Sequence, residues 1–245
     1  MALAPTGVLR ASINVGNAVL TNGSFDEPGG VTVDLAREFA RRLDVPVDLV
    51  LWDAARKSVD AVRDGVADVC FLAVDPQRAE ELAFTAPYVL IEGAYAVRGD
   101  SPLRQVDDVD REGVRVGVKL GSAYDLHLTR ALAAAEIVRG SDGVDVFAEQ
   151  GLEVAAGIRQ PIEAYAATHP GLRVLEGTFM EIPQAVAASR RRDGAAIDWL
   201  NAVVEELTAT GWVAEALARN GHDPALSAPP RLSWSDGTDS RTTGA

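Results

Sequence analysis

The spacing of apolar positions changes period several times along this chain, and each change marks an element. Residues 8–15, VLRASINV, read as a strand, and a polar loop, NGSFDEPGG, follows. Over 31–43, VTVDLAREFARRL, the period becomes helical. Leu35, Ala36, Phe39, Ala40 and Leu43 share one face, and Arg37, Glu38, Arg41 and Arg42 take the other. Residues 45–52 alternate like a strand, and 57–65 form a short helix ended by Gly65. Residues 67–74, ADVCFLAV, are an unbroken apolar run, as in a parallel strand covered on both faces. Strand, helix, strand, helix, strand predicts a βαβ sheet.

The pattern then repeats. Residues 113–118 read as a strand, 123–135 as a helix, and 151–158 as a buried strand. A helix follows over 161–169, with Pro161 in its first turn, and then a strand over 172–177. Two extended segments, 86–102 and 178–189, flank this second unit, so the chain crosses out and back. The expected architecture is an α/β fold of two lobes joined by a two-strand hinge, with a ligand cleft between them. Lobe 1 takes residues 1–96 with 188–227, and lobe 2 takes 97–187. A helical stretch over 194–221, broken at Gly211, closes the fold, with Trp199 and Trp212 as packing anchors. Residues 228–245 are polar and are expected to be a disordered tail.

Composition narrows the function. The 245 residues are 47% hydrophobic and 24% charged, an ordinary globular balance, but the net charge is −13. An acidic surface repels phosphate backbones and anionic lipid, so neither nucleic acid nor a membrane surface is an expected partner. No apolar run approaches the roughly 20 residues of a membrane span. Cys70 is the single cysteine, which excludes a disulfide within the chain, and a buried inert thiol is expected. His127, His169 and His222 are scattered without metal-ligand spacing, so no metal and no cofactor are expected. The first residues lack a basic segment followed by an apolar one. The location expected of the chain as written is cytoplasmic, or extracytoplasmic if a leader has been removed.

Three motifs carry a family resemblance. They are GGVTVDLAREFARRL, then DGVADVCFLAVDPQRAEELAFTAPY, then GVRVGVKLGSAYDLHL, in this order. Together they resemble solute-binding protein family 3, the polar amino-acid receptors of ABC importers, over residues 8–220. The resemblance implies the two-lobed, type II periplasmic-binding-protein fold, a monomer that closes on a small solute, and an ABC transporter permease as a partner.

It also implies a site. Arg78 matches the arginine that clamps a ligand carboxylate, a role suited to a planar guanidinium with parallel donors. The other reading of Arg78 is a surface salt bridge with Glu80 or Glu81. Ser122, in the turn KLGSAYD, caps a helix whose first amides can hold an anion. Ala73 and Lys119 join this ligand-binding set, Lys119 either reaching the cleft or lying along its rim. Three positions depart from the amino-acid binders. Asn14 stands where an acidic residue is common, and Asn17 where an aromatic often stacks. Arg159 stands in place of the aspartate that holds the ligand's ammonium.

An ammonium about 4 Å from a guanidinium is repelled by roughly 4 kcal/mol at an effective dielectric near 20. With Arg159 in the cleft, and Arg56, Lys57 or Lys119 nearby, the expected ligand is a small anionic solute, a dianion rather than an ordinary α-amino acid. The other reading pairs Arg159 with Glu163, Glu92 or Glu181. The expected function is therefore a solute-binding protein without a catalytic residue, serving an ABC transporter or acting as a cytoplasmic sensor or carrier. The alternative is a dehydratase-like enzyme on the same scaffold acting on a small carboxylic acid. Glu92, Glu153 and Glu181 are the candidates for its general acid.

Overall fold

Apolar runs buried on both faces sit at the centre of each lobe. The computed structural model describes residues 3–230. In the first lobe β1 (Leu9–Asn14) pairs in parallel with β4 (Val47–Trp52) on one side and β5 (Val69–Ala73) on the other. A small hairpin, β2 (Asn22–Gly23) and β3 (Pro28–Gly29), leads into α1 (Val31–Leu43), and α2 (Ala55–Arg63) joins β4 to β5. The apolar face of α1 is buried as its spacing predicts, with Phe39 stacked 6.2 Å from Phe71 and edge-on to Trp199.

β6 (Leu82–Arg98) carries the chain out of this lobe. The second lobe holds β7 (Arg115–Lys119), α3 (Ala123–Ala131), β8 (Glu136–Gly140), α4 (Gly143–Gln150), β9 (Val154–Ile158), α5 (Arg159–Thr168) and β10 (Leu172–Val174). β7 pairs in parallel with β8 and β9. β11 (Met180–Ser189) returns the chain beside β6, antiparallel from Met180↔Gly93 to Ser189↔Leu82. α6 (Gly194–Ala209) and α7 (Trp212–Arg219) then pack on the first lobe, separated by Gly211 at φ 80°. Among the described residues no helix is long and apolar enough to cross a membrane.

The two crossing strands thus lie side by side as the hinge, and the two-lobed α/β fold is the one expected. Their hydrogen bonding does not stop at the lobe boundary, however. β6 pairs with β11 along its first part and with β9 and β10 along its last, so nine of the eleven described strands form one sheet. A 17-residue strand is long enough to serve both lobes.

Three local expectations are corrected. The helix expected to run to residue 135 ends at Ala131, because the Asp110 carboxylate accepts the N–H groups of Ala133, Ala134 and Ala135. β8 and α4 occupy 136–150, where the sequence pattern defined nothing; Asp142 caps α4 by accepting the Val144 N–H. The tail does not become disordered at 228. Ala228 is buried and donates its N–H to the Tyr88 carbonyl at 2.9 Å. The rest of the tail from 231 lies outside the described residues.

Candidate functional site

The C-terminal ends of β1, β5, β7 and β9 face each other across a cavity of about 540 Å³ between the lobes. This is where open parallel sheets present their ligand sites. The first lobe contributes Asn14, Asn17, Phe71, Ala73 and Arg78; the hinge contributes Ile182 and Gln184. The second lobe contributes Lys119, Ser122, Tyr124, Asp142, Ile158, Pro161, Ile162 and Tyr165.

Arg78 opens a short 3-10 turn, Arg78–Glu80, just beyond β5. Asp75 shapes that turn, its Oδ1 accepting the N–H groups of Gln77 at 2.9 Å and Arg78 at 3.4 Å. The Arg78 side chain then runs inward rather than out to Glu80 or Glu81. Nη1 donates to the Ala73 carbonyl and Nη2 crosses the cleft to the Gly121 carbonyl, each at 3.1 Å. The residue is only 6% exposed, yet among the described residues no carboxylate pairs with it. Asp75, the carboxylate whose charge acts on it, accepts Arg130 Nη2 of α3 at Oδ2, at 2.7 Å. Burial accordingly pushes the Arg78 pKa below the usual arginine value.

The facing turn is held by local hydrogen bonds. Gly121 adopts φ 72°, which favours glycine, and donates its N–H to Asp125 Oδ2 at 2.8 Å. Ser122 caps α3, its Oγ accepting the Asp125 N–H at 3.0 Å. The amides of Ala123 and Tyr124 have no acceptor within the helix, as at any helix start. Lys119 reaches into the cleft rather than along its rim. Its Nζ donates to the Asp53 carbonyl at 3.3 Å and occupies the space that a Cβ on Gly16 would need. Arg56 packs on Gly121, and Lys57 pairs with Asp53; neither lines the cavity.

Asn14 and Asn17 line the cavity in a defined orientation. Asn14 Oδ1 accepts the Gly16 N–H at 3.1 Å and Asn17 Oδ1 accepts the Val19 N–H at 3.3 Å. Among the described residues neither Nδ2 is hydrogen-bonded within the protein, and each oxygen keeps a second lone pair.

Arg159 does not face the cavity, which corrects the cleft-facing expectation. Its Nε meets Glu92 Oε2 at 2.5 Å, Nη1 meets Glu163 at 3.4 Å, and Nη2 donates to the Gly177 carbonyl and Thr178 Oγ1 at 2.7 Å each. At the first position of α5 the side chain is turned to the hinge, where Glu92 and the 177–178 loop satisfy it. The second arginine of the expected dianion site is therefore absent from the cleft.

The three glutamates considered as general acids also lie outside the cavity lining. Glu92 is held below the usual carboxylate range by Arg159, and Glu153 by Arg115. Glu181 is exposed on the hinge. Cys70 is fully buried, its thiol pushed up to about 12.

Sequence reasoning missed Gln184, Tyr124, Tyr165 and Asp142. Gln184 stands in the apolar run AVAAS-adjacent stretch of the return strand, where a lone polar residue on a buried strand was a usable signal. The tyrosines carry none, because aromatic residues at helical spacing read equally well as core.

A family model for bacterial extracellular solute-binding proteins, family 3, matches residues 18–222. Solved structures share the fold. Truncated ArgBP from T. maritima in its arginine-bound form superposes with a TM-score of 0.69 at 22% identity, over 84% of this chain and 98% of that one. The lysine complex of a putative ABC-transporter binding component from Wolinella succinogenes gives 0.74 at 18% identity, over 87% and 95%. An ancestral amino acid-binding protein, a precursor of cyclohexadienyl dehydratase, gives 0.73 at 18% identity, over 89% and 96%.

Proposed function

The chain belongs to the bacterial extracellular solute-binding proteins of family 3, and from that premise we propose that its two lobes close on a small acid with one carboxylate and a largely apolar body. The carboxylate sits between Arg78 and the first amides of α3. Phe71, Ile158, Pro161, Ile162 and Ile182 take the body. The observation that carries this reading is Arg78 itself, a cavity-lining guanidinium 6% exposed and without a carboxylate partner among the described residues. A buried cation needs a counter-charge, and a planar one is matched by a carboxylate.

An ordinary α-amino acid fits this cavity poorly, unlike the arginine and lysine held in two of the similar structures. Among the described residues Asp142 is the one acidic residue lining it; its Oδ1 caps α4, which leaves Oδ2 to meet an ammonium against the cations of Arg78 and Lys119. Lys119 adds a second cation to the lining, which repels an ammonium. The moving bodies are residues 1–96 with 188–227 and residues 97–187, and the partner is the permease of an ABC importer.

Calorimetric titration with apolar-tailed monocarboxylates and their primary amides tests the reading. Acids are expected to bind at least tenfold tighter than the matched amides. An amide that binds as well as its acid removes the clamp from the site.

A further inference from the structure

Gln184 is a polar side chain on the cavity floor to which nothing so far gives a role. It belongs to β11, lines the cavity and is 4% exposed. Its side chain makes one hydrogen bond within the protein, from Nε2 to the Ile182 carbonyl, and that bond is long at 3.5 Å. A carboxamide has two N–H donors and an acceptor oxygen. Among the described residues its second N–H and its oxygen have no partner within the protein, and they belong to a side chain that lines the cavity.

Two features place Gln184 beside the clamp. It is the cross-strand partner of Ala73, whose carbonyl holds Arg78 Nη1. Side chains directly opposite each other share a face, with Cβ atoms about 4.5–5.5 Å apart. The register of β11 against β6 also shifts between Gln184 and Ala185, opposite Pro87, which has no N–H to give the ladder. Irregularities of this kind re-aim a side chain next to a site.

We propose that Gln184 reads the substituent on the carbon next to the solute's carboxylate, and that this substituent is a hydroxyl. The inference rests on the carboxylate reading above and narrows the solute to 2-hydroxy acids. With one N–H turned towards Ile182, the amide shows the cavity one donor and one acceptor. A hydroxyl answers both. An oxo oxygen answers only the donor and leaves Oε1 bare. An ammonium answers only Oε1, and it faces the remaining N–H together with the Lys119 ammonium. A plain methylene answers neither.

The test is calorimetry on three matched series built on propanoate, 4-methylpentanoate and 3-phenylpropanoate, each as parent, 2-hydroxy, 2-oxo and 2-amino acid. On the skeleton that binds best, the 2-hydroxy acid is expected to bind at least tenfold tighter than both the parent and the amino acid. Gln184→Met, similar in size, should shrink the hydroxy-to-parent ratio below about three. Gln184→Glu, which removes the donor and adds charge, should shift the hydroxy-to-amino ratio at least tenfold towards the amino acid. Equal binding of parent and hydroxy acid to the wild type, or a ratio that survives Gln184→Met, overturns the assignment of Gln184 while leaving the clamp in place. Failure of every acid in every series overturns the carboxylate reading and this inference with it.

Discussion

Arg78→Met should separate binding from stability, because the arginine is buried for a partner it does not have within the protein. In the free protein, desolvating a guanidinium costs several kcal/mol. Two charge-assisted hydrogen bonds, to the Ala73 and Gly121 carbonyls, return about 1.5–3 kcal/mol each. These terms nearly cancel. Methionine keeps much of the volume and drops both, leaving two carbonyls beside a cavity where water can reach them. The unliganded variant is therefore expected within about 1 kcal/mol of wild type, or roughly 2–4 °C in melting temperature for a chain of this size. Binding behaves differently. Loss of one partner of a desolvated charge pair costs about 2–5 kcal/mol, a rise in Kd of about 30-fold to several thousandfold. Differential scanning calorimetry without solute and titration with the tightest-binding acid give the two numbers. A free protein that melts more than about 10 °C lower would make Arg78 a structural residue. An unchanged Kd would put the carboxylate elsewhere.

Two further outcomes follow from charges away from the cavity. Arg159→Met removes the contacts to Glu92, Glu163, Gly177 and Thr178; it should cost about 1–2 kcal/mol in denaturant unfolding, with solute affinity changed less than threefold. Glu38 is held at about 2 by hydrogen bonds from Arg41 and Arg42. A depressed carboxylate pKa adds stability that is complete above its unfolded value near 4.5 and is lost as pH falls towards about 2. Glu38→Gln should therefore be destabilised by about 1 kcal/mol at pH 7, the gap to wild type closing between pH 4.5 and 2; a gap independent of pH would contradict the ion-pair account.

The fold was legible because its evidence is local. The face of α1, the unbroken apolar run of β5 and the break at Gly211 each depend on residues within a few positions of one another. Arg78 and Ser122 were legible for the same reason, being set in contiguous motifs beside a strand end. Arg159 was not, because its direction is decided by Glu92, 67 residues away in sequence. The end of α3 was hidden likewise: three amides that could have continued the helix are taken by Asp110, with Ala133 23 residues further along. Gln184 stayed unremarked because its neighbourhood, Ala73 and the clamp, is made by strand pairing rather than by sequence spacing.

The lobes also touch each other directly, through Arg78 to the Gly121 carbonyl, Lys119 to the Asp53 carbonyl and Arg130 to Asp75. Two of these three contacts use cavity-lining cations, so a solute and the opposite lobe draw on the same two groups. The consequence is kinetic. A solute that takes Nη2 of Arg78 from the Gly121 carbonyl is expected to do so only after the lobes part, a step that belongs to the protein alone. At low concentration the observed association rate rises in proportion to solute. At high concentration it reaches a ceiling set by the opening rate, the same for every solute that binds. Arg130→Met, which cuts an ion pair of residues that do not line the cavity, is expected to raise that ceiling.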